Sequence, residues 1–93
     1  YVALASQGDR TSMDRAVDKL GTIGVDQSDA GWRRLGAINA LNSLHEYTLD
    51  PGFQSANSDW EEIDEKAKKA IESIKEAETN SQLKAIYMQF PSN

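Results

Sequence analysis

Ser58-Asp59-Trp60-Glu61-Glu62-Ile63-Asp64-Glu65-Lys66-Ala67-Lys68-Lys69-Ala70-Ile71-Glu72-Ser73-Ile74-Lys75-Glu76-Ala77 is the stretch whose reading decides the fold. Trp60, Ile63, Ala67, Ala70, Ile71 and Ile74 recur at helical spacing and form one apolar stripe. Ser58 and Glu61 stand three apart at its start, the spacing of a capping box in which each side chain satisfies a backbone donor near the other. Glu62 with Lys66, Asp64 with Lys68, and Glu65 with Lys69 are acid-to-base pairs four apart, so the opposite face is solvated. The spacing predicts a long amphipathic helix that ends near Ala77.

Thr79 and Gln82 repeat the capping signature just beyond, and Leu83, Ile86, Tyr87 and Phe90 make the inner face of a further short helix ending at Pro91. These two elements are expected to form a tight helical hairpin. In the other direction, Asp50-Pro51-Gly52 closes a preceding helix that starts near Ser28, with Asp29 in its first turn. Its large apolar residues are Trp32, Leu35, Ile38, Leu41, Leu44 and Tyr47, spaced by three. Such a series precesses by about 60° per step, because a helix turns about 100° per residue. The expectation is a central helix covered on more than one side. The first helix opens at Thr11, buries Met13, Ala16, Val17 and Leu20, and is expected to stop at Gly21. Leu49 to Asn57 reads as a loop that Phe53 pins to the bundle.

The fold class expected is therefore all-α: a small bundle of four helices with a long central second helix and a C-terminal helical hairpin. The 93 residues, 39% of them hydrophobic, suit one domain spanning 1–93. Residues 1–9 read as irregular or as the remnant of an upstream element, since the chain opens on Tyr1 and not on Met. Tyr1-Val2-Ala3-Leu4-Ala5 is far short of the roughly 20 apolar residues that cross a bilayer, so no membrane association is expected. The absence of cysteine excludes disulfides, thiolate metal sites and covalent cysteine chemistry, and the single histidine excludes an all-imidazole site. Location follows only from base rates, which favour the cytoplasm.

His45 is the one side chain whose ordinary titration lies near neutrality. Its neighbours Ser43 and Glu46 point elsewhere on a helix, so a catalytic role needs a distant acid or hydroxyl; the simpler reading is a residue at the core boundary bonded locally or to water. The acids Asp59, Glu61, Glu62, Asp64 and Glu65 read as a solvated face that favours the helix dipole. Asp26-Gln27-Ser28-Asp29-Ala30-Gly31 departs from a calcium loop at its fifth position and at Ala37, where the terminal glutamate belongs. No phosphate loop, dinucleotide fingerprint or nucleophile elbow occurs. Neither a cofactor nor a metal is expected, and no enzyme activity.

Trp32-Arg33-Arg34 reads as a core tryptophan followed by two exposed arginines. With 10 Lys+Arg against 15 Asp+Glu, a net charge of -5, long-range attraction to nucleic acid is unfavourable, although a local patch with Lys66 and Lys69 remains a candidate.

Residues 1 to 35, with Tyr1, Gly8-Asp9-Arg10, Met13, Ala16-Val17, Trp32 and Leu35, resemble the helical core-binding domain of tyrosine recombinases over about a third of the chain. That resemblance implies DNA contact without any catalytic residue, and the chain departs from it in being acidic. Ala70-Ile71 through Ala77, Thr79, Leu83 and Tyr87 are similar to small helical hairpins of phage annealing and recombination proteins, which dock partners.

Two functional expectations result. The first is a non-catalytic helical interaction module that binds a protein partner or a second copy through exposed apolar residues such as Met88, Phe53 or Tyr1. Met88 lies off the Leu83–Phe90 stripe, where an unbranched thioether suits an adaptable contact. The second is an accessory DNA-binding domain of a phage-type recombination or replication protein, touching phosphates through Arg33 and Arg34.

Overall fold

The structure is a computed structural model that describes residues 10–90. Tyr1, the expectation for residues 1–9 and the stop at Pro91 lie outside the described residues. The chain forms an all-α bundle whose elements are α1 (Arg10–Val25), α2 (Gly31–Thr48), α3 (Pro51–Ala56), α4 (Trp60–Ala77) and α5 (Ser81–Tyr87). The described residues thus hold five helices where four were expected. The added one is α3, built within the expected loop. Pro51 takes the first helical position, where its missing N–H costs nothing, and the Asp50 carboxylate accepts from Phe53 N at 3.0 Å. Phe53 packs against the core from this short helix.

Helices α1, α2 and α4 each pack on the other two and share one core. Met13, Val17 and Leu20 of α1, Ile38, Leu41 and Leu44 of α2, and Ile63, Ala67, Ile71 and Ile74 of α4 are buried together. Fully burying one Leu or Ile contributes about 1.5–3 kcal/mol, so this cluster is the main source of stability. No helix of the described residues is long and apolar enough to cross a membrane.

Gly21 does not stop α1, which continues to Val25. A Cβ on Gly21 would stand 3.7 Å from Ala70 Cβ, and one on Gly24 would overlap the fully buried Ile74 side chain. Gly24 lets α1 and α4 approach closely, whereas a Cβ on Gly21 would make only an ordinary contact, and packing outweighs the roughly 0.5–1 kcal/mol that glycine costs inside a helix.

Helix α2 starts three residues later than Ser28, because Asp26 draws that stretch into a turn by accepting from Ser28 N at 2.9 Å. The expectation that its whole three-spaced series is covered is corrected at both ends. Ile38, Leu41 and Leu44 are in the core, but Trp32 is 76% exposed and Tyr47 44%. From Leu41, Trp32 and Tyr47 lie roughly 120–180° round the helix. The residues that share the buried face are instead Arg34, Ala37, Ile38, Leu41, Leu44 and Thr48.

The capping boxes also moved. Helix α4 has Asp59 at its N-cap without a side-chain cap bond, and α5 is capped by Asn80, whose Oδ1 accepts from Gln82 N at 3.0 Å and Leu83 N at 3.1 Å. Helix α5 rests mainly on α2, and Leu83 lies against Gly31.

Candidate functional site

Two polar clusters occupy the seam between α2 and α4. At one end Arg34, only 7% exposed, meets Glu78, 1% exposed. Arg34 Nε donates to Glu78 Oε1 at 2.8 Å and Nη2 donates to Oε2 at 2.9 Å, a two-pronged pair. Nη1 donates to the carbonyl of Asp29 at 2.5 Å, and Glu78 Oε2 also accepts from Asn80 N at 3.0 Å. Thr79 N and Oγ1 both donate to Gln27 Oε1, at 3.1 and 3.0 Å. The α1–α2 and α4–α5 connections are thereby fastened to each other. Although burial acts to raise it, the Glu78 carboxyl is held below the usual range by its bonds from Arg34 and Asn80 N. The Arg34 guanidinium is held more firmly charged by Glu78.

Tyr87 of α5 is buried beside this pair, and its hydroxyl has no hydrogen-bond partner. Burial, and then the negative charge of Glu78, push its phenol up to about 12.

At the other end of the seam His45 Nδ1 donates to Asp64 Oδ1. A carboxylate only accepts, so this contact puts the proton on Nδ1 and leaves Nε2 directed away from Asp64. Thr48 Oγ1 lies 2.8 Å from the same Asp64 oxygen and 2.6 Å from the His45 carbonyl, and its single proton serves one of them at a time. Lys68 Nζ stands 3.3 Å from Asp64 Oδ2, and Gln54 of α3 donates to the Thr48 carbonyl at 2.9 Å. Burial raises the Asp64 carboxyl, but the bonds from His45, Thr48 and Lys68 bring it below its ordinary value.

The distant acid that a catalytic His45 requires is therefore Asp64. A carboxylate on Nδ1 is the orienting half of a general-base arrangement, but the other half does not converge on it. Ser43 Oγ donates to the Asn39 carbonyl, and the open depression beside it is lined by Ser43, Glu46, Tyr47 and Asp50. The depression that reaches Asp64 is lined by Glu61, Glu65 and Lys68. What the cluster does in this geometry is join α2 to α4. Among the described residues no group of three or more metal-ligating side chains comes together.

The candidate contact residues are dispersed. Met88 is 79% exposed just beyond α5, whereas Phe53 is half-buried against the core. Arg33 is on the surface and paired with Asp29 at 3.3 Å. The reading of Trp32-Arg33-Arg34 is reversed at two of its three positions: the tryptophan is outside and Arg34 is inside. Lys66 reaches across to α1, 3.1 Å from Asp18 and 3.6 Å from Asp14.

Sequence reasoning missed Glu78 and treated Asp64 as part of a wet face. A signal for both was present. Trp60, Asp64, Ala67, Ile71, Ile74 and Glu78 follow alternating steps of four and three, so both acids stand within the inward stripe. Arg34, Ala37, Leu41, Leu44 and Thr48 follow the same rhythm on α2. No protein family, curated protein or solved structure matches the chain.

Proposed function

We propose that this chain is a non-catalytic helical interaction module that docks a protein partner, or a second copy of itself, at the surface around Trp32. The observation that carries this reading is the 76% exposure of Trp32 on a helix whose inward face is complete without it. Tryptophan supplies large contact area at small entropic cost and dominates the energetics of many interfaces. Arg33 beside it offers a charged rim, and the exposed thioether of Met88 is a second candidate contact.

The accessory DNA-binding reading requires Arg33 and Arg34 together on phosphates. Arg34 has Glu78 and the Asp29 carbonyl as its partners, so the geometry lends that reading little support.

The test compares wild type with Trp32→Ala and Met88→Asp. Sedimentation velocity over a wide concentration range follows self-association, and affinity capture followed by direct binding titration follows a heterologous partner. The expected result is that Trp32→Ala weakens the association at least tenfold with unchanged circular dichroism, as for a central interface residue. Association that is indifferent to Trp32→Ala and to Met88→Asp would reject this surface.

A further inference from the structure

We propose that α5 and the residues up to Phe90 form a displaceable strap, which opens as one unit about a hinge at Asn80–Ser81 while α1, α2 and α4 stay folded. The three long helices each hold the other two, whereas α5 has only seven residues and rests mainly on α2. A helix of that length has little stability of its own, so its order comes from contacts.

Those contacts are few and lie at both ends of the strap, where Lys75 of α4 also donates to the Phe90 carbonyl. Leu83 packs near its start, and Tyr87 and Phe90 pack at its end, while Gln82, Lys84, Ala85, Ile86 and Met88 face solvent. Anchors at both ends oppose peeling from the terminus and favour release as a whole. The Tyr87 hydroxyl is buried without a partner and recovers its hydrogen bonds from water when the strap lifts.

The hinge position follows from what is fastened independently of α5. Glu78 is held by Arg34, and Thr79 by Gln27. Both ties precede the strap and survive its opening, so the chain is free to swing only beyond them. Lifting the strap uncovers the flank of α2 at Gly31, where Leu83 rests, without breaking the Arg34–Glu78 pair.

Native-state hydrogen exchange by NMR in low urea, on the full chain, tests this. The amides of Lys84 and Met88, bonded to the carbonyls of Asn80 and Lys84, report the strap, and those of Leu41 and Ile71 report the core. The expected result is a common opening for Lys84 and Met88, with a urea dependence that is small but definite and well below that of global unfolding, and at least tenfold more frequent than global unfolding. Gly36→Ala, at an open position of α2 that stays folded in both states, separates the two processes. It should slow exchange at Leu41 and Ile71 about threefold and leave Lys84 and Met88 unchanged. Equal slowing of all four amides, or protection that rises gradually from Met88 back to Lys84, would overturn the proposal.

Discussion

Arg34 and Glu78 stand 44 positions apart in sequence and meet as a buried, two-pronged ion pair that fastens the start of α2 to the end of α4. At the far end of the same seam, His45 and Thr48 from the end of α2 meet Asp64 from the start of α4. The two helices therefore run antiparallel with a polar tie at each end and an apolar stretch between. Sliding one helix by a turn would leave both acids buried without partners, so the ties select the register as well as hold it.

Removing one member of the Arg34–Glu78 pair is expected to cost far more than removing both. Glu78→Gln leaves a guanidinium under α5 without its carboxylate and should lower stability by about 3 kcal/mol in urea denaturation. The double variant Arg34→Met with Glu78→Leu fills the same space with apolar atoms and should recover most of that loss. A double variant no more stable than Glu78→Gln would contradict this account of the pair.

Stability should fall in acid, and the sign follows from the carboxyls. Asp64 and Glu78 are both held below their unfolded values, so their contribution is complete above the ordinary carboxylate range. It is lost as pH falls through about 4 and below, where the unfolded chain takes up protons first. The urea midpoint should be level near neutrality and decline in acid, with a shallower decline in Asp64→Asn. An unchanged acid slope in that variant would remove Asp64 from the explanation.

Tyr87 gives the opposite limb. Its phenol is raised from 10.0 to about 12, so the stability it contributes is complete below the unfolded value and is lost as pH rises from about 10 to 12. Tyr87→Phe should flatten the alkaline decline of the urea midpoint. Spectrophotometric titration at the phenolate band should show one late-titrating tyrosine that disappears in the variant.

The glycines of α1 and α2 should respond in opposite directions to the same substitution. Gly24→Ala drives a methyl group into Ile74 and is expected to destabilise by about 1–3 kcal/mol, with partial rescue by Ile74→Val. Gly36 has open space where its Cβ would be, so Gly36→Ala should stabilise by roughly 0.5–1 kcal/mol through the unfolded chain's lost freedom. Thermal melts of the two single variants decide the matter, and equal effects would mean that close approach is not what Gly24 provides.

Periodicity was enough to place four of the five helices and nearly all of the core, because burying an apolar stripe every three to four residues is a requirement that local sequence displays. Met13, Val17, Leu20, Ile63, Ile71 and Ile74 are buried as that spacing demands. The extent of α1 was not legible, since a glycine that ends a helix and a glycine that admits a neighbouring helix are the same residue type; only the contact of Ile74 with Gly24 shows the second role. Nor was the side on which Trp32 and Tyr47 fall, because steps of three rotate around a helix and only the positions of α1 and α4 choose which arc is covered. The destinations of Arg34, His45, Asp64 and Glu78 depended on tertiary structure most of all. A charged residue in an apolar stripe announces that a partner must exist, since burial without one is prohibitively costly. Which residue that partner is depends on the antiparallel meeting of α2 and α4, a long-range relation that no local spacing encodes.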